Sequence, residues 1–171
     1  MTTITRRAGM SASAATAVGL TLAACAGGSA AGSDWDSVED GDLRAIVPSG
    51  WDRSSLSSGL WGSRWVSPKD PSGILLTAAK VSASSPADAV DLAMHAARAT
   101  TRGFLPVGTR RAVSDGSTTL VRQDYSITWP HASKGAIWAV SNGGRIALVD
   151  FSGEGITSDQ LHTLGRWIEL T

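Results

Sequence analysis

The clearest pattern in the chain lies between residues 118 and 129. Val121, Tyr125, Ile127 and Trp129 alternate with Arg122, Asp124, Ser126 and Thr128, the period of a half-buried strand, with Gln123 as the one polar break in its apolar face. Asp115-Gly116 just before it is a hairpin signal, so Val107–Ser114 and Thr118–Trp129 are predicted to pair. Pro130–Gly135 turns the chain into a strand over Ala136–Ser141, and Asn142-Gly143-Gly144 turns it again into Arg145–Phe151. The result is an antiparallel meander. Upstream, Leu43–Val47 is a short apolar run stopped by Pro48-Ser49-Gly50. Trp61–Val66 and Ile74–Val81 are predicted strands separated by Pro68-Lys69-Asp70-Pro71-Ser72-Gly73, a loop marked by two prolines and a glycine.

Two stretches carry the helical period. Ser85-Pro86-Ala87-Asp88 combines a capping residue, a first-turn proline and an acid at the third helical position. The helix it opens runs to about Thr101, where Gly103 ends it. Val90, Ala93, Met94 and Ala97 form its inward stripe, and Asp88, Asp91, His95, Arg98 and Arg102 lie outside, acids first and bases last. A second helix starts at Thr157 or Ser158, with Gln160 completing a capping box. Its buried stripe is Leu161, Leu164 and Ile168 with Trp167 beside it, and removing Trp167 is expected to cost about 3–5 kcal/mol, as for other buried aromatics. Gly165 is weak in a helix and suits close packing on a sheet. Strands cluster rather than alternate with helices. The predicted class is α+β: an antiparallel sheet of about six to seven strands, a helix after strand 3 and a C-terminal helix packed on the sheet.

The first 24 residues have a different texture. Met1–Arg7 carries Arg6 and Arg7 without an acid, and Ala8–Ala24 carries no charge. That is a positive segment followed by an uncharged one, too short and too weakly apolar for a comfortable membrane span. It ends Leu22-Ala23-Ala24-Cys25, which resembles the bacterial lipobox. The Cys25 thiol is the expected acceptor of a diacylglyceryl group, and the small Ala23 and Ala24 fit a peptidase that cuts before it. Thr5-Arg6-Arg7 also resembles a twin-arginine export signal, with Gly9 where a bulky apolar residue is usual, so the general and twin-arginine routes both stay open. Residues 25–34 read as the lipidated cysteine and a Gly/Ser/Ala tether, and 35–171 as one domain.

Composition sharpens this. The 171 residues hold 15 Lys+Arg and 15 Asp+Glu. Removing residues 1–24 takes Arg6 and Arg7 from the fifteen bases and no acid, which leaves thirteen against fifteen and a net charge of −2. Such a surface argues against nucleic acid as a partner. Cys25 is the one cysteine, which excludes a disulfide scaffold and a multi-cysteine zinc site. Lysine occurs three times only, at Lys69, Lys80 and Lys134, an arginine bias that points to a GC-rich genome and an actinobacterial source.

Leu43-Arg44-Ala45-Ile46-Val47-Pro48-Ser49-Gly50-Trp51 resembles the apolar strand and Pro-Ser/Asp-Gly-Trp opening of PsbP-like proteins. Gln123-Asp124-Tyr125, the Gly143-Gly144 hairpin and the closing helix fall where that fold places them. The group includes the extrinsic photosystem subunit, a eukaryotic Ran-binding factor and actinobacterial lipoproteins of the LpqN type, which also carry a lipobox. The resemblance implies a docking or accessory module without shared catalytic residues, and it transfers no site residue.

Candidate chemistry is sparse. His95, His131 and His162 stand at no metal-ligand spacing, and no cofactor motif occurs. There is no Gly-x-Ser-x-Gly elbow, although a dispersed Ser/His/Asp site can assemble from any spacing. Asp124 and Asp150 are acids inside predicted strands, with Arg122 and Arg145 as candidate partners. Tryptophan is the unusual feature. Trp35, Trp51, Trp61 and Trp65 fall within 31 residues, and they either fill the core or line a glycan- or lipid-binding surface, for which Trp51, Trp61 and Trp65 are the candidates. The expected function is therefore a lipid-anchored, extracytoplasmic, non-enzymatic accessory or binding module at the outer face of the cell membrane. Its partner would be the membrane itself through Cys25, with an envelope protein, lipid or glycan as ligand. The competing expectation is an envelope hydrolase with a dispersed Ser/His/Asp site.

Overall fold

A computed structural model describes residues 34–171. Its frame is a seven-stranded antiparallel sheet in the order β3-β4-β5-β9-β8-β7-β6. These strands are β3 (Asp52–Ser55), β4 (Ser63–Val66), β5 (Ile74–Ala78), β6 (Phe104–Asp115), β7 (Thr118–Ile127), β8 (Ser133–Asn142) and β9 (Arg145–Gly153). The first two strands, β1 (Trp35–Asp40) and β2 (Leu43–Pro48), join the two-residue β10 (Glu169–Leu170) in a separate small sheet of order β1-β2-β10.

The long sheet separates two cores. On one face, helix α1 (Pro86–Thr100) presses Ala89, Val90, Ala93 and Met94 onto Val121, Tyr125, Ile137, Ala139, Ile146 and Leu148. On the other, the small sheet and helix α2 (Ser158–Gly165) bring Leu43, Ala45, Val47, Leu161 and Leu164 onto Leu75, Trp138, Val140, Val149 and Phe151. Strands β8 and β9 are covered on both sides. Ala136–Val140 and Ile146–Val149 are accordingly unbroken buried runs, whereas β7, covered on one side, alternates.

The meander and both helices stand where the sequence predicts them. Ser85 accepts from the Asp88 N–H, and Thr157 and Gln160 form the reciprocal capping box. The mixed α+β class holds, with three corrections. The described residues contain ten strands in two sheets instead of six to seven in one, so α1 follows β5 rather than a third strand. The strands missed are β1, whose Asp36, Glu39 and Asp40 hide its one aliphatic residue, Val38, the wholly exposed polar β3, and β10. The second helix stops at Gly165, so Ile168 is buried on the way to β10 and Trp167 is only half-buried. Finally, β7 ends at Ile127, which leaves Trp129 exposed beneath the Arg102 guanidinium, 4.8 Å from the ring centroid.

Candidate functional site

The Pro48-Ser49-Gly50-Trp51 turn has a structural account. Asp36 on β1 accepts from the Ser49 hydroxyl at 2.8 Å and from the Gly50 N–H at 3.0 Å. That pins the turn and lays Trp51 on Phe151, with ring centroids 5.6 Å apart. Trp35 flanks the same phenyl ring at 6.3 Å. Both tryptophans seal the end of the core under the small sheet. Gly73 lies so close that a Cβ there would stand 3.0 Å from the Trp51 ring.

Trp51, Trp61 and Trp65 do not form one surface. Trp65 is buried in the core under the small sheet, beneath Arg53, whose guanidinium is 5.2 Å from its ring centroid. Trp61 joins the other core, on the α1 side. The even spacing of four fails because the strand begins only at Ser63. Before it, the Leu56 N–H bonds the Gly62 carbonyl and the Gly62 N–H bonds the Thr77 carbonyl, both at 2.8 Å, which re-aims the chain.

Trp61 does line an open cleft of about 290 Å³, bounded by Asp40, Leu56, Ser57, Lys80 and the Gly59 backbone. Asp40 is engaged there as a rivet between the sheets. One of its oxygens accepts from Thr77 Oγ1 at 2.6 Å, and the other accepts from Ser63 Oγ at 3.2 Å and faces Arg53 at 3.7 Å. Its carboxylate is already satisfied, so it serves the fold before it serves any ligand.

The second polar feature is buried. Tyr125 on β7 reaches across β8 above Gly135, and its hydroxyl donates to Asp150 Oδ1 on β9 at 2.6 Å. A Cβ on Gly135 would fall 2.6 Å from the phenol, so glycine is required for the crossing. Burial pushes the Asp150 carboxyl up to about 7, an effect the Tyr125 hydrogen bond partly offsets. Burial, and then the charge of Asp150, raise the Tyr125 phenol well above its ordinary range. Sequence reading places Asp150 on a strand but gives no sign that its face lies under α1. Asp124, by contrast, pairs with Arg122 at 2.6 Å on the opposite face, while Arg145 pairs with Asp42 at 2.7 Å.

The three histidines are exposed and dispersed: His95 on α1, His131 between β7 and β8, and His162 on α2. Since α1 and α2 cover opposite faces of the sheet, His95 and His162 do not converge. Among the described residues no group of three His, Cys, Asp or Glu side chains is placed to hold a metal, and no helix is long and apolar enough to cross a membrane.

The remaining feature is what the fold leaves open. The small sheet and α2 cover the β5-β9-β8 side of the long sheet and stop short of β6. Opposite Ser126, Asp124 and Leu120 of β7 stand Leu105, Val107 and Val113 of β6, exposed by 53, 48 and 67%. Aliphatic side chains that open to solvent together on one strand face make this the candidate contact surface.

No family model matches the sequence, and no curated protein matches it. Solved structures do. The cyanobacterial PsbP protein CyanoP of Synechocystis superposes over 88% of this chain and 99% of its own, with a TM-score of 0.63 at 14% identity. This is the PsbP-like fold. LpqN of Mycobacterium tuberculosis, a protein involved in cell envelope biogenesis, is also found, covering 80% of this chain and 90% of its own at 16% identity, with a TM-score of 0.48. Cys25 and the lipobox residues Leu22, Ala23 and Ala24 lie outside the described residues.

Proposed function

We propose that this chain is a lipid-anchored accessory module at the outer face of a bacterial membrane, acting by presenting a surface to an envelope partner rather than by catalysis. The observation that carries the reading is the uncovered face of β6, with Leu105, Val107 and Val113 open to solvent. A module that works by docking needs such a face on a rigid scaffold, and the sheet supplies the rigidity. The leader-like segment ending at Cys25 supports the location, because a diacylated cysteine holds a domain firmly at a bilayer. The tether sets the reach. Eight residues separate Cys25 from Asp34, and the nine steps between the two span at most about 30 Å when extended, so the domain stays beside the membrane.

Fractionation and fatty-acid labelling in a host with the lipoprotein pathway test the anchor. The parent chain takes up label and stays with the membrane, and Cys25→Ser does neither. Equal labelling and retention of the two would overturn the anchor. For the surface, Leu105→Asp combined with Val107→Asp is expected to leave the melting temperature near that of the parent and to abolish recovery of the partner. Unchanged recovery would remove this face from the reading.

A further inference from the structure

Strand β6 is the edge of the long sheet opposite β3, and its two halves differ. The first half is blunted against strand addition. Pro106 has no N–H to offer, and the ladder with β7 shifts between Val107 and Arg111, where Gly108 takes a φ of +68°. The second half, Arg111–Asp115, is regular and pairs in unbroken register with Thr118–Arg122.

That register fixes which backbone groups are free. The two-residue turn Gly116-Ser117 makes Asp115 and Thr118 the hydrogen-bonded pair that closes the hairpin. By alternation Val113–Leu120 and Arg111–Arg122 are hydrogen-bonded pairs as well, so Ala112 and Ser114 turn their N–H and C=O groups outward along the edge. Arg111, Val113 and Asp115 meanwhile share one face. Val113 is two-thirds exposed. Arg111 stands directly opposite a second cation, Arg122, whose own needs are met by Asp124 and by the Trp138 ring. Among the described residues neither Arg111 nor Asp115 forms an ion pair.

We propose that Arg111–Asp115 is a self-association edge, on which β6 pairs antiparallel with β6 of a second copy of this chain about a two-fold axis through Val113. In this register Ala112 lies opposite Ser114 of the second copy, and Ser114 opposite its Ala112, for about four backbone hydrogen bonds. Val113 meets Val113 of the second copy at the axis, in a close non-hydrogen-bonded pair. Each Arg111 faces an Asp115 and gains the acid it lacks within its own chain. Slipping the pairing by two residues to either side, the smallest shift that keeps the outward backbone groups opposed, sets Val113 against Arg111 or against Asp115, so charge and apolarity select the one arrangement. The edge is short, and the dimer it makes in solution is weak. The axis stands perpendicular to the sheet, so both copies carry β1, where the described chain begins, on the same side. Two chains tethered through that end to one bilayer are held in pairing orientation, and confinement strengthens the contact.

The test uses the full chain in a Cys25→Ser background, so that an introduced thiol is the only one. Under mild oxidation Val113→Cys is expected to give a disulfide-linked dimer, and Leu105→Cys, on the same face in the blunted half, is not. Arg111→Asp suppresses the Val113→Cys dimer, and adding Asp115→Arg restores it, an outcome that altered folding would not produce. Sedimentation of the parent shows a concentration-dependent dimer that Arg111→Asp removes. Equal crosslinking from positions 105 and 113, indifference to the charge reversal, or capture of a different protein by Val113→Cys with no homodimer formed would each overturn self-pairing.

Discussion

Asp150 carries the sharpest residue-scale consequence. Its folded pKa of about 7 lies above the roughly 3.9 of an unfolded aspartate. Between those values the folded chain holds a proton that the unfolded chain has released. Its contribution is therefore fully present below pH 4 and is lost as pH rises through 7, on the order of 4 kcal/mol in all. Asp150→Asn keeps an acceptor for Tyr125 and removes the titration. Urea unfolding is expected to show the variant more stable than the parent at pH 8 and less dependent on pH between 5 and 8. The lowered carboxyls work in the opposite sense and in a lower window. Asp70, held down by the Ser72 hydroxyl, and Asp91, held down by Arg110, lose their contribution as pH falls below about 4. Gly135 guards the same buried pair. A methyl there would meet the phenol at 2.6 Å and the Phe151 carbonyl at 2.7 Å. Since the backbone must shift to admit it, Gly135→Ala is expected to destabilise by 3 kcal/mol or more, about the upper end for overpacking, as a drop in denaturation midpoint. Trp167→Ala, at a half-buried position, is expected to cost about 2 kcal/mol, below the value for a fully buried ring.

Among the elements, legibility in the sequence follows burial. The β7–β8–β9 meander and both helices are readable because one period dominates each and a turn or cap brackets it, as Asp115-Gly116 and the Thr157–Gln160 box do. Breaking that box by Thr157→Ala is expected to lower stability by about 1 kcal/mol, seen as a lower melting temperature. β1 and β3 are unreadable because edge strands facing water need no apolar period, and Asp52–Ser55 has none. β10 is two residues long, and only its pairing with Leu43 and Arg44 of β2 makes it a strand. The cluster of tryptophans is legible as a composition and misleading as a surface. Nothing in the spacing of Trp51, Trp61 and Trp65 tells which of two opposed cores each one enters. Conversely, Leu105 lies before the strand predicted from Val107, and Val107 looks like an ordinary strand residue in the sequence, since exposure depends on how far the small sheet and α2 extend. At Gly165 local preference and tertiary packing pull in opposite directions. Alanine gains about 1 kcal/mol in helix propensity, but its Cβ would lie 2.8 Å from the buried Trp138 indole nitrogen. The clash outweighs the propensity, so Gly165→Ala is expected to lower the melting temperature.

For the whole molecule, one long sheet is shared between two cores and is unequally covered. Where both faces are covered, at β8 and β9, the chain is apolar throughout and serves stability. Where the cover ends, at β6, the fold offers an exposed aliphatic face and a free edge, while the small sheet ties the N-terminal end of the domain to the same side. That arrangement suits a domain held at a membrane and read by its neighbours. The most direct measurement is photo-crosslinking in intact cells from Val107, compared with Ala99 on the exposed side of α1. The proposed function requires one defined envelope adduct from Val107, absent from Ala99 and lost on Leu105→Asp. Equal adducts from both positions, or none from Val107 while the purified chain turns over an envelope ester or glycoside, would contradict it.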